Sequence, residues 1–405
     1  MATATRGVAW RTTETLSAAL NGHANSLGLL RLVLAAMVIF SHAFPLGGFA
    51  NEDFLSEWTH QQANLGTFAV DGFFAISGYL IAKSALSSDV LQYLWRRALR
   101  ILPAYWVMLL VSAAVIAPIF WVLGGQHLAD FGWTGPQSPL SYVRANFFLH
   151  VGTWGIYDIF GTTPYGQFAG VSVFNGSIWT LEFEFFAYLV VGFLAVIALL
   201  SRFRMIVTIL AAALTVFVLV STSGNAGLRA LFPYLFSGYD ISETGAPYRV
   251  TLLLIFLIGS TFAVFSRSVA FDWRFAAGSL VVVVASLAWG GYHVVGIWAL
   301  AYLLLWLAGA LPARVQWIGQ KNDYSYGVYI YGFVVEQMLA FFNVQAWGYW
   351  PFVVLALLAS FGLAWLSWHG VEKWAMKLKN WGPGKGIKHL GDVIRRTRRS
   401  QGAHE

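Results

Sequence analysis

Ten apolar stretches follow one another along the chain, each about 17–25 residues long and bounded by polar residues or glycines. Stretches of this length and composition are typical of helices that cross a lipid bilayer. We therefore predict an all-α polytopic membrane protein with about ten transmembrane helices. The predicted windows are 28–46, 64–83, 101–123, 177–200, 204–223, 249–265, 275–290, 292–311, 325–343 and 349–370.

The polar residues outside these windows divide the chain into three parts. Residues 1–26 form a polar N-terminal segment, residues 27–372 hold the membrane domain, and residues 373–405 form a basic tail. Within the membrane domain, residues 124–176 are the longest connection, and they are rich in glycine, proline and aromatic residues with few charges. We predict that this connection is an ordered extracytoplasmic loop lying on the membrane.

The composition agrees with a membrane protein. Of the 405 residues, 58% are hydrophobic and 11% are charged, whereas soluble domains carry about 25% charged residues. The chain contains no cysteine, which excludes disulfides and cysteine-ligated metals.

The distribution of the basic residues explains the net charge of +7. If the N-terminus is cytoplasmic, 21 of the 25 Lys and Arg residues fall in cytoplasmic segments. This asymmetry predicts that both termini are cytoplasmic. The basic tail is then an anchor attracted to anionic lipid, and we predict no nucleic-acid partner.

Two ionisable residues lie inside the first window, where they are costly and therefore candidates for a functional site. Arg31 precedes His42 by eleven residues. In a helix this spacing corresponds to about 16 Å of rise, with both side chains on nearly the same face. A cation near one membrane surface and an imidazole near the other would suit a reaction that uses the depth of the membrane.

The alternating direction of the predicted helices brings further ionisable residues to the level of His42, near the outer surface. Asp71 lies early in the second helix, Glu182 and Glu184 lie near the outer end of the fourth, and Glu336 lies in the ninth. A single carboxylate could be a packed, hydrogen-bonded residue. Several at one depth predict a polar cavity.

A histidine and a carboxylate at one level are a useful chemical pair. A neutral His42 could take a proton from an attacking hydroxyl while Asp71 or Glu184 fixes its tautomer, and the sequence does not choose between the two carboxylates. The alternative is a structural histidine held by backbone carbonyls. The predicted windows contain no His-x-x-x-His pair, so we predict no metal.

Arginines gather at the predicted inner surface, before the third window. Arg96 and Arg100 are four residues apart and share a face if the segment is helical, and Arg97 lies beside them. Guanidinium groups at a membrane surface bind phosphates well. The alternative is an anchor that touches only lipid headgroups. Together with the polar outer cavity, the cluster favours a donor that carries phosphates.

Five motifs follow one another between about residues 26 and 380. They are Leu30-Arg31 through Ser41-His42, Val70-Asp71-Gly72-Phe73-Phe74, Arg96-Arg97-Ala98-Leu99-Arg100, Trp179-Thr180-Leu181-Glu182-Phe183-Glu184, and Ser325-Tyr326-Gly327-Val328-Tyr329. In residues and in order they resemble the motifs of the acyltransferase-3 family of membrane enzymes. Two departures are Gly332, where the family often has histidine, and Glu372-Lys373-Trp374 in place of Glu-x-Pro, which we expect to affect only packing.

The resemblance implies a multi-pass protein of the bacterial plasma membrane with ten helices and an acyl-coenzyme A donor, usually acetyl-coenzyme A. The acceptor would be a sugar hydroxyl of an extracytoplasmic glycan. It also implies that His42 is catalytic, with Asp71 and Glu184 in the site. The implied donor-binding candidates are Arg31, Arg96, Arg97 and Arg100.

The expected function is an O-acetyltransferase in which His42 is the general base. Trp179, Glu182 and Glu336 are candidates for substrate contacts. The donor would thread its pantetheine arm inward from the arginines to His42, and a covalent acyl relay is a variant of this mechanism. The alternative is a secondary transporter of a small anion or sugar, although the sequence shows no inverted repeat. A third reading is a structural subunit of a polysaccharide export assembly.

Aromatic residues in the 124–176 loop have two readings. They could stack on sugar rings of the acceptor, or they could anchor the loop at the membrane interface. The residues concerned are Trp133, Trp154, Tyr157 and Tyr165.

Overall fold

The computed structural model describes residues 14–22, 24–197, 199–224, 226–231 and 247–387. These residues are helical or irregular and form no extended strand, and an isolated β-bridge joins Thr15 to Ala270. The first 13 residues and the part of the predicted basic tail after residue 387 lie outside the described ranges.

Ten long helices within the described ranges form the body of the protein. They are α1 Leu27–Leu46, α2 Leu65–Ser87, α3 Val90–Leu123, α4 Trp179–Val196, α5 Met205–Thr222, α6 Tyr248–Val264, α7 Trp273–Trp289, α8 Tyr292–Ala310, α9 Ser325–Phe341 and α10 Tyr349–Asn380. Seven of the helices in these ranges are long and apolar enough to cross a membrane; α6, α7 and α9 have 17 residues each. The all-helical class is thus confirmed, and the number of ten crossings stays a prediction.

The largest difference from the predicted windows is the start of the third helix. It begins at Val90, whereas the apolar window begins at residue 101. The Asp89 side chain accepts hydrogen bonds from the backbone N–H groups of Leu91 and Gln92 and so caps the helix. The first turns carry Arg96, Arg97 and Arg100, so their mean hydropathy is low although they are helical.

Helix α1 lies at the centre of the bundle. It packs against α2 on one side and α9 on the other, and α2 packs in turn against α6. The backbones of α2 and α6 lie very close together. A side chain at Gly78 would overlap the carbonyl oxygen of Phe256, and one at Gly259 would overlap that of Ala75. Small residues allow helix backbones to approach in this way.

Three of these helices contain a π-helical turn, a feature that often marks a functional site. The turns are Ser112–Ile116 in α3, Tyr292–Gly296 in α8 and Trp368–Glu372 in α10. The second turn follows Gly290 and Gly291, both with positive φ, which make the tight reversal between α7 and α8.

The 124–176 connection is an ordered loop with three short helices at Leu128–Asp130, Pro139–Asn146 and Pro164–Ala169. Its carboxyl-terminal end is tied to α9. The Thr163 hydroxyl lies 2.9 Å from Gln337 Oε1, and Asn175 Nδ2 donates to the Ile330 carbonyl oxygen at 2.7 Å. The loop therefore closes over the bundle beside α9; its position on the membrane stays a prediction.

Candidate active site

His42 lies one turn before the end of α1 and is half-buried. Its Nδ1 atom is buried and has no hydrogen-bond partner among the described residues. The ring meets Phe333 of α9 edge-on, with 5.5 Å between the ring centroids. Phe333 therefore fixes the position of the imidazole while its nitrogens stay unpaired.

His42 lines a cavity of about 380 Å³, which we call the His42 cavity. This volume lies within the range of about 300–1,000 Å³ that is usual for small-molecule sites. The walls come from α1, α2, α4, α6, α8 and α9. The polar residues that face it include Ser41, Asn51, Glu52, Asn64, Thr67, Asp71, Ser177, Thr251, His293 and Tyr329.

A second cavity of about 660 Å³ lies beneath the 124–176 loop, and we call it the loop cavity. It shares His42, Pro45, Tyr165, Trp179 and Tyr248 with the His42 cavity. Its other walls hold Trp154, Arg249 and a hydrogen-bonded contact of 2.9 Å between His150 Nδ1 and Glu182 Oε2. His42 thus lies where the two cavities meet.

The sequence suggested Asp71 or Glu184 as the carboxylate beside His42. Neither forms a hydrogen bond or ion pair with His42 in the described structure. Asp71 Oδ2 instead lies 3.6 Å from His293 Nε2, and Glu184 accepts hydrogen bonds from Ser77 and Tyr188. Asp71 faces the His42 cavity, whereas Glu184 faces a different, smaller one.

His293 is a site residue that the sequence reasoning missed. It lies in the π-helical turn at the start of α8, and it is 6% exposed. The depth argument used for Glu182 would have found it, since the predicted eighth helix also begins at the outer surface. Hydropathy does not show which helices are neighbours, so the pairing of His293 with Asp71 could not be read from the sequence.

A small cavity of about 30 Å³ lies between the His42 cavity and Arg31. It shares Val70 and Tyr329 with the His42 cavity, and Phe73 forms another wall. A void of this volume holds about one water molecule, so no open passage for a pantetheine arm runs through it.

Arg31, which lines this small cavity, belongs to a network of ion pairs. Asp323 Oδ2 lies 2.6 Å from both Arg31 and Arg100, and Arg100 also pairs with Glu372 Oε2 at 3.2 Å. Burial alone would raise the pKa of the Asp323 carboxyl. The two guanidinium groups and hydrogen bonds from Ser325 outweigh that effect and lower this pKa to about 2. Glu372, the glutamate of the Glu372-Lys373-Trp374 motif, therefore forms an ion pair, and the expectation that the missing proline affects only packing stays a prediction.

The other two predicted donor-binding arginines lie on the same helix as Arg100. Arg96 donates to Asn380 Oδ1 at 3.2 Å. Arg97 lies near Tyr93, Tyr188 and Glu184, with which it interacts electrostatically. The four arginines therefore gather at one end of the bundle. Of these four, only Arg31 and Arg100 form ion pairs with carboxylates in the described structure.

The remaining predicted residues divide into two groups. Trp179, Glu182, Trp154 and Tyr165 line the loop cavity. Glu336 is fully buried, lines neither cavity, and both of its carboxyl oxygens lack hydrogen-bond partners in the described structure.

Two loop aromatics also lie apart from the cavities. The Tyr157 ring packs against Phe131 and Trp121, and the Trp133 ring packs against Phe131. No group of three or more metal-ligating side chains occurs in the described residues.

Comparison with known proteins identifies the family. A family profile described as an acyltransferase domain matches residues 25–369. The chain belongs to the acyltransferase-3 family. It is therefore an acyltransferase, and its membership favours an enzyme over the transporter considered from the sequence.

Individual relatives cover nearly the whole of this acyltransferase. An "O-acetyl transferase" of Shigella phage Sf6 is 30% identical over 365 residues, which are 86% of this chain and 95% of the relative. "Nodulation protein 10" of Rhizobium leguminosarum bv. viciae is 28% identical over 376 residues, 89% of this chain and 95% of the relative. No solved structure matches the chain.

Proposed function

We propose that the protein is an O-acetyltransferase that moves an acetyl group from cytoplasmic acetyl-coenzyme A to a sugar hydroxyl of an extracytoplasmic glycan. The observation that carries this proposal is the position of His42, at the meeting of two cavities in a member of an acyltransferase family. The name of the Shigella phage relative supports acetyl as the group transferred.

His42 acts as the general base. One imidazole nitrogen takes the proton of the acceptor hydroxyl, and the oxygen attacks the carbonyl carbon of the thioester. The carbon–sulfur bond breaks, and the imidazolium returns its proton to the departing thiolate of coenzyme A. The unpartnered Nδ1 of His42 supports this role, because a base needs a nitrogen that no protein group occupies.

The donor enters from the end of the bundle where the arginines gather. Arg96 and Arg97 contact its phosphates first, and Arg31 and Arg100 exchange Asp323 for phosphate as the donor binds. The rise of about 16 Å from Arg31 to His42 is similar to the length of the pantetheine arm. Since the intervening void is only about 30 Å³, the route must widen between Val70 and Tyr329.

The acceptor glycan occupies the loop cavity and reaches His42 from there. Trp154, Tyr165 and Trp179 supply aromatic faces for the sugar rings, and the Glu182 and His150 side chains supply polar contacts. This arrangement places the acceptor on the extracytoplasmic side and the donor on the cytoplasmic side. It agrees with ten crossings of the bacterial plasma membrane and with cytoplasmic termini in residues 1–26 and 373–405.

The test is transfer of label from acetyl-coenzyme A into glycan in isolated membranes. His42→Ala should lower transfer by at least about 100-fold, because general acid–base catalysis contributes about 10²–10⁴-fold. His127→Ala is the matched control, since His127 is exposed in the 124–176 loop and lines neither cavity. Thermal unfolding in detergent would show that both variants are folded.

Normal labelling of glycan by folded His42→Ala protein would refute the role of the histidine. Movement of unmodified sugar across the membrane without labelling would instead support the transporter.

A further inference from the structure

We propose that Asp71 and His293 together bind a hydroxyl of the acceptor sugar and so select which sugar is acetylated. The hydroxyl would be a neighbour of the one that reacts with His42. The inference rests on the proposed function and assigns a specificity-determining role to His293, which the family motifs do not include.

The distance between the two side chains leaves a place for a ligand atom. Asp71 Oδ2 and His293 Nε2 are 3.6 Å apart, which is too far for a direct hydrogen bond. Asp71 is 1% exposed and His293 is 6% exposed; the Tyr292 hydroxyl lies near enough to interact with the Asp71 carboxylate, but Asp71 Oδ2 has no partner at hydrogen-bond geometry in the described structure. A buried carboxylate oxygen without a partner is costly, so a ligand that supplies a proton donor there gains binding energy.

Three buried polar atoms without partners belong to residues that line this one cavity. His42 Nδ1, Asp71 Oδ2 and Ser177 Oγ are all buried and lack hydrogen-bond partners among the described residues, and all three residues line the His42 cavity. A packed protein interior leaves few such atoms. Because all three residues face one cavity of small-molecule size, a single polar ligand can form hydrogen bonds with them.

The chemistry of the pair favours a hydroxyl over the thioester. A hydroxyl is both donor and acceptor, so it can accept from His293 Nε2–H and donate to Asp71 Oδ2 at the same time. A thioester carbonyl, and the oxyanion that forms from it, could only accept, and the Asp71 carboxylate would repel the negative charge. The pair therefore suits the acceptor and not the acyl group.

Further polar side chains lie around the pair. Asn64 and Thr67 line the same part of the His42 cavity, and both also line a small neighbouring cavity that His293 faces. The Tyr292 ring contacts the His293 ring edge-on, with 4.9 Å between the ring centroids. The side chain is therefore held in place before the sugar binds.

The test separates acceptor binding from donor chemistry. His293→Phe keeps a ring against Tyr292 but removes the N–H donor, and His293→Gln keeps a donor in a smaller side chain. With glycan isolated from cells that lack the gene as the acceptor, His293→Phe should raise the KM for glycan about tenfold, the effect of one lost hydrogen bond in a buried site. His293→Gln should give an intermediate KM.

Two further measurements distinguish this role from a structural one. The loss in His293→Phe should be larger in the KM for glycan than in kcat at saturating glycan, whereas His42→Ala should lower kcat; His127→Ala, at an exposed loop residue that lines neither cavity, is the matched control. Asp71→Asn should raise the KM for glycan as His293→Phe does. The double variant should raise the KM by less than the two single effects combined, because both changes remove contacts to one shared hydroxyl.

An unchanged KM for glycan in folded His293→Phe protein would overturn the inference and would mean that the gap holds only water. A loss confined to kcat in the same variant would also overturn it, by assigning His293 to the chemical step. If His293→Phe does not fold, an unchanged KM in His293→Gln and Asp71→Asn would have the same meaning. Normal transfer by His42→Ala would be a failure of the proposed function alone.

Discussion

Buried polar side chains in this acyltransferase differ in what surrounds them. His42 and Asp71 carry buried atoms without partners, but both residues line a cavity that a ligand can fill. Glu336 carries two such atoms and lines neither the His42 cavity nor the loop cavity. A ligand in the His42 cavity can form hydrogen bonds with His42 and Asp71, whereas the carboxyl of Glu336 has no hydrogen-bond partner in the described structure.

Glu336 should therefore be replaceable by an apolar residue, and its neighbour should not. Glu336→Leu should raise thermal stability, because it removes a buried group whose missing hydrogen bonds cost about 1–3 kcal/mol. Gln337→Leu is the matched control on the same buried stretch of α9. It should lower stability, since Thr163 and the Val173 carbonyl oxygen would lose their partner.

Thermal unfolding of both variants in detergent, together with glycan acetylation, checks this expectation. Folded Glu336→Leu protein that has lost transfer would show that Glu336 contacts substrate, as the sequence suggested. A fall in stability equal to that of Gln337→Leu would show that Glu336 has a structural partner.

At the scale of single residues, the sequence gives the depth of a side chain along its helix but not the direction in which the side chain points. Position along each helix placed His42, Asp71 and Glu182 near one level, and all three line one of the two joined cavities. The same reasoning placed Glu336 there, but helix rotation turns its side chain away from both. Contacts such as Asp323 with Arg31 join residues 292 positions apart, and no local pattern predicts them.

At the scale of the helices, hydropathy predicted where each begins and ends to within a few residues in most cases. This works because the bilayer imposes a length on every apolar segment. It failed for the first turns of α3, which are amphipathic, and it gave no sign of the π-helical turns. Packing between helices depends instead on small residues, and the contact of α2 with α6 is the clearest case.

The α2–α6 contact should be sensitive to a single added methyl group. Gly78→Ala would place its Cβ against the backbone of Phe256, so the two helices would have to separate by a fraction of an ångström or more. Overpacking of this kind costs about 1–3 kcal/mol. Because α2 also carries Asp71, we expect both lower thermal stability and lower acetyl transfer.

Gly278→Ala in α7 is the control for this change. No atom lies within 4 Å of the Cβ that it would add, so stability should stay equal or rise. Equal stability of the two variants would show that α2 and α6 are not in close contact in the membrane.

For the whole molecule, the open question is how many of the ten helices cross the bilayer. Helices α6, α7 and α9 have 17 residues, which is the lower end of the range of about 17–25 for a transmembrane helix. Most of α6 is buried against α2 and α5, so it does not need a fully apolar surface. If it crosses, the α5–α6 and α6–α7 connections face opposite sides of the membrane.

Single cysteines can decide between these topologies, because the chain has none of its own. In spheroplasts, a membrane-impermeant maleimide should label Thr134→Cys in the 124–176 loop and Ser223→Cys after α5. Ser87→Cys at the end of α2 and Ser268→Cys after α6 should react only when the membrane is opened, as the inward location of basic residues requires. Labelling of Ser268→Cys together with Ser223→Cys would mean that α6 does not cross. The number of crossing helices would then no longer place the donor and the acceptor on opposite sides of the membrane.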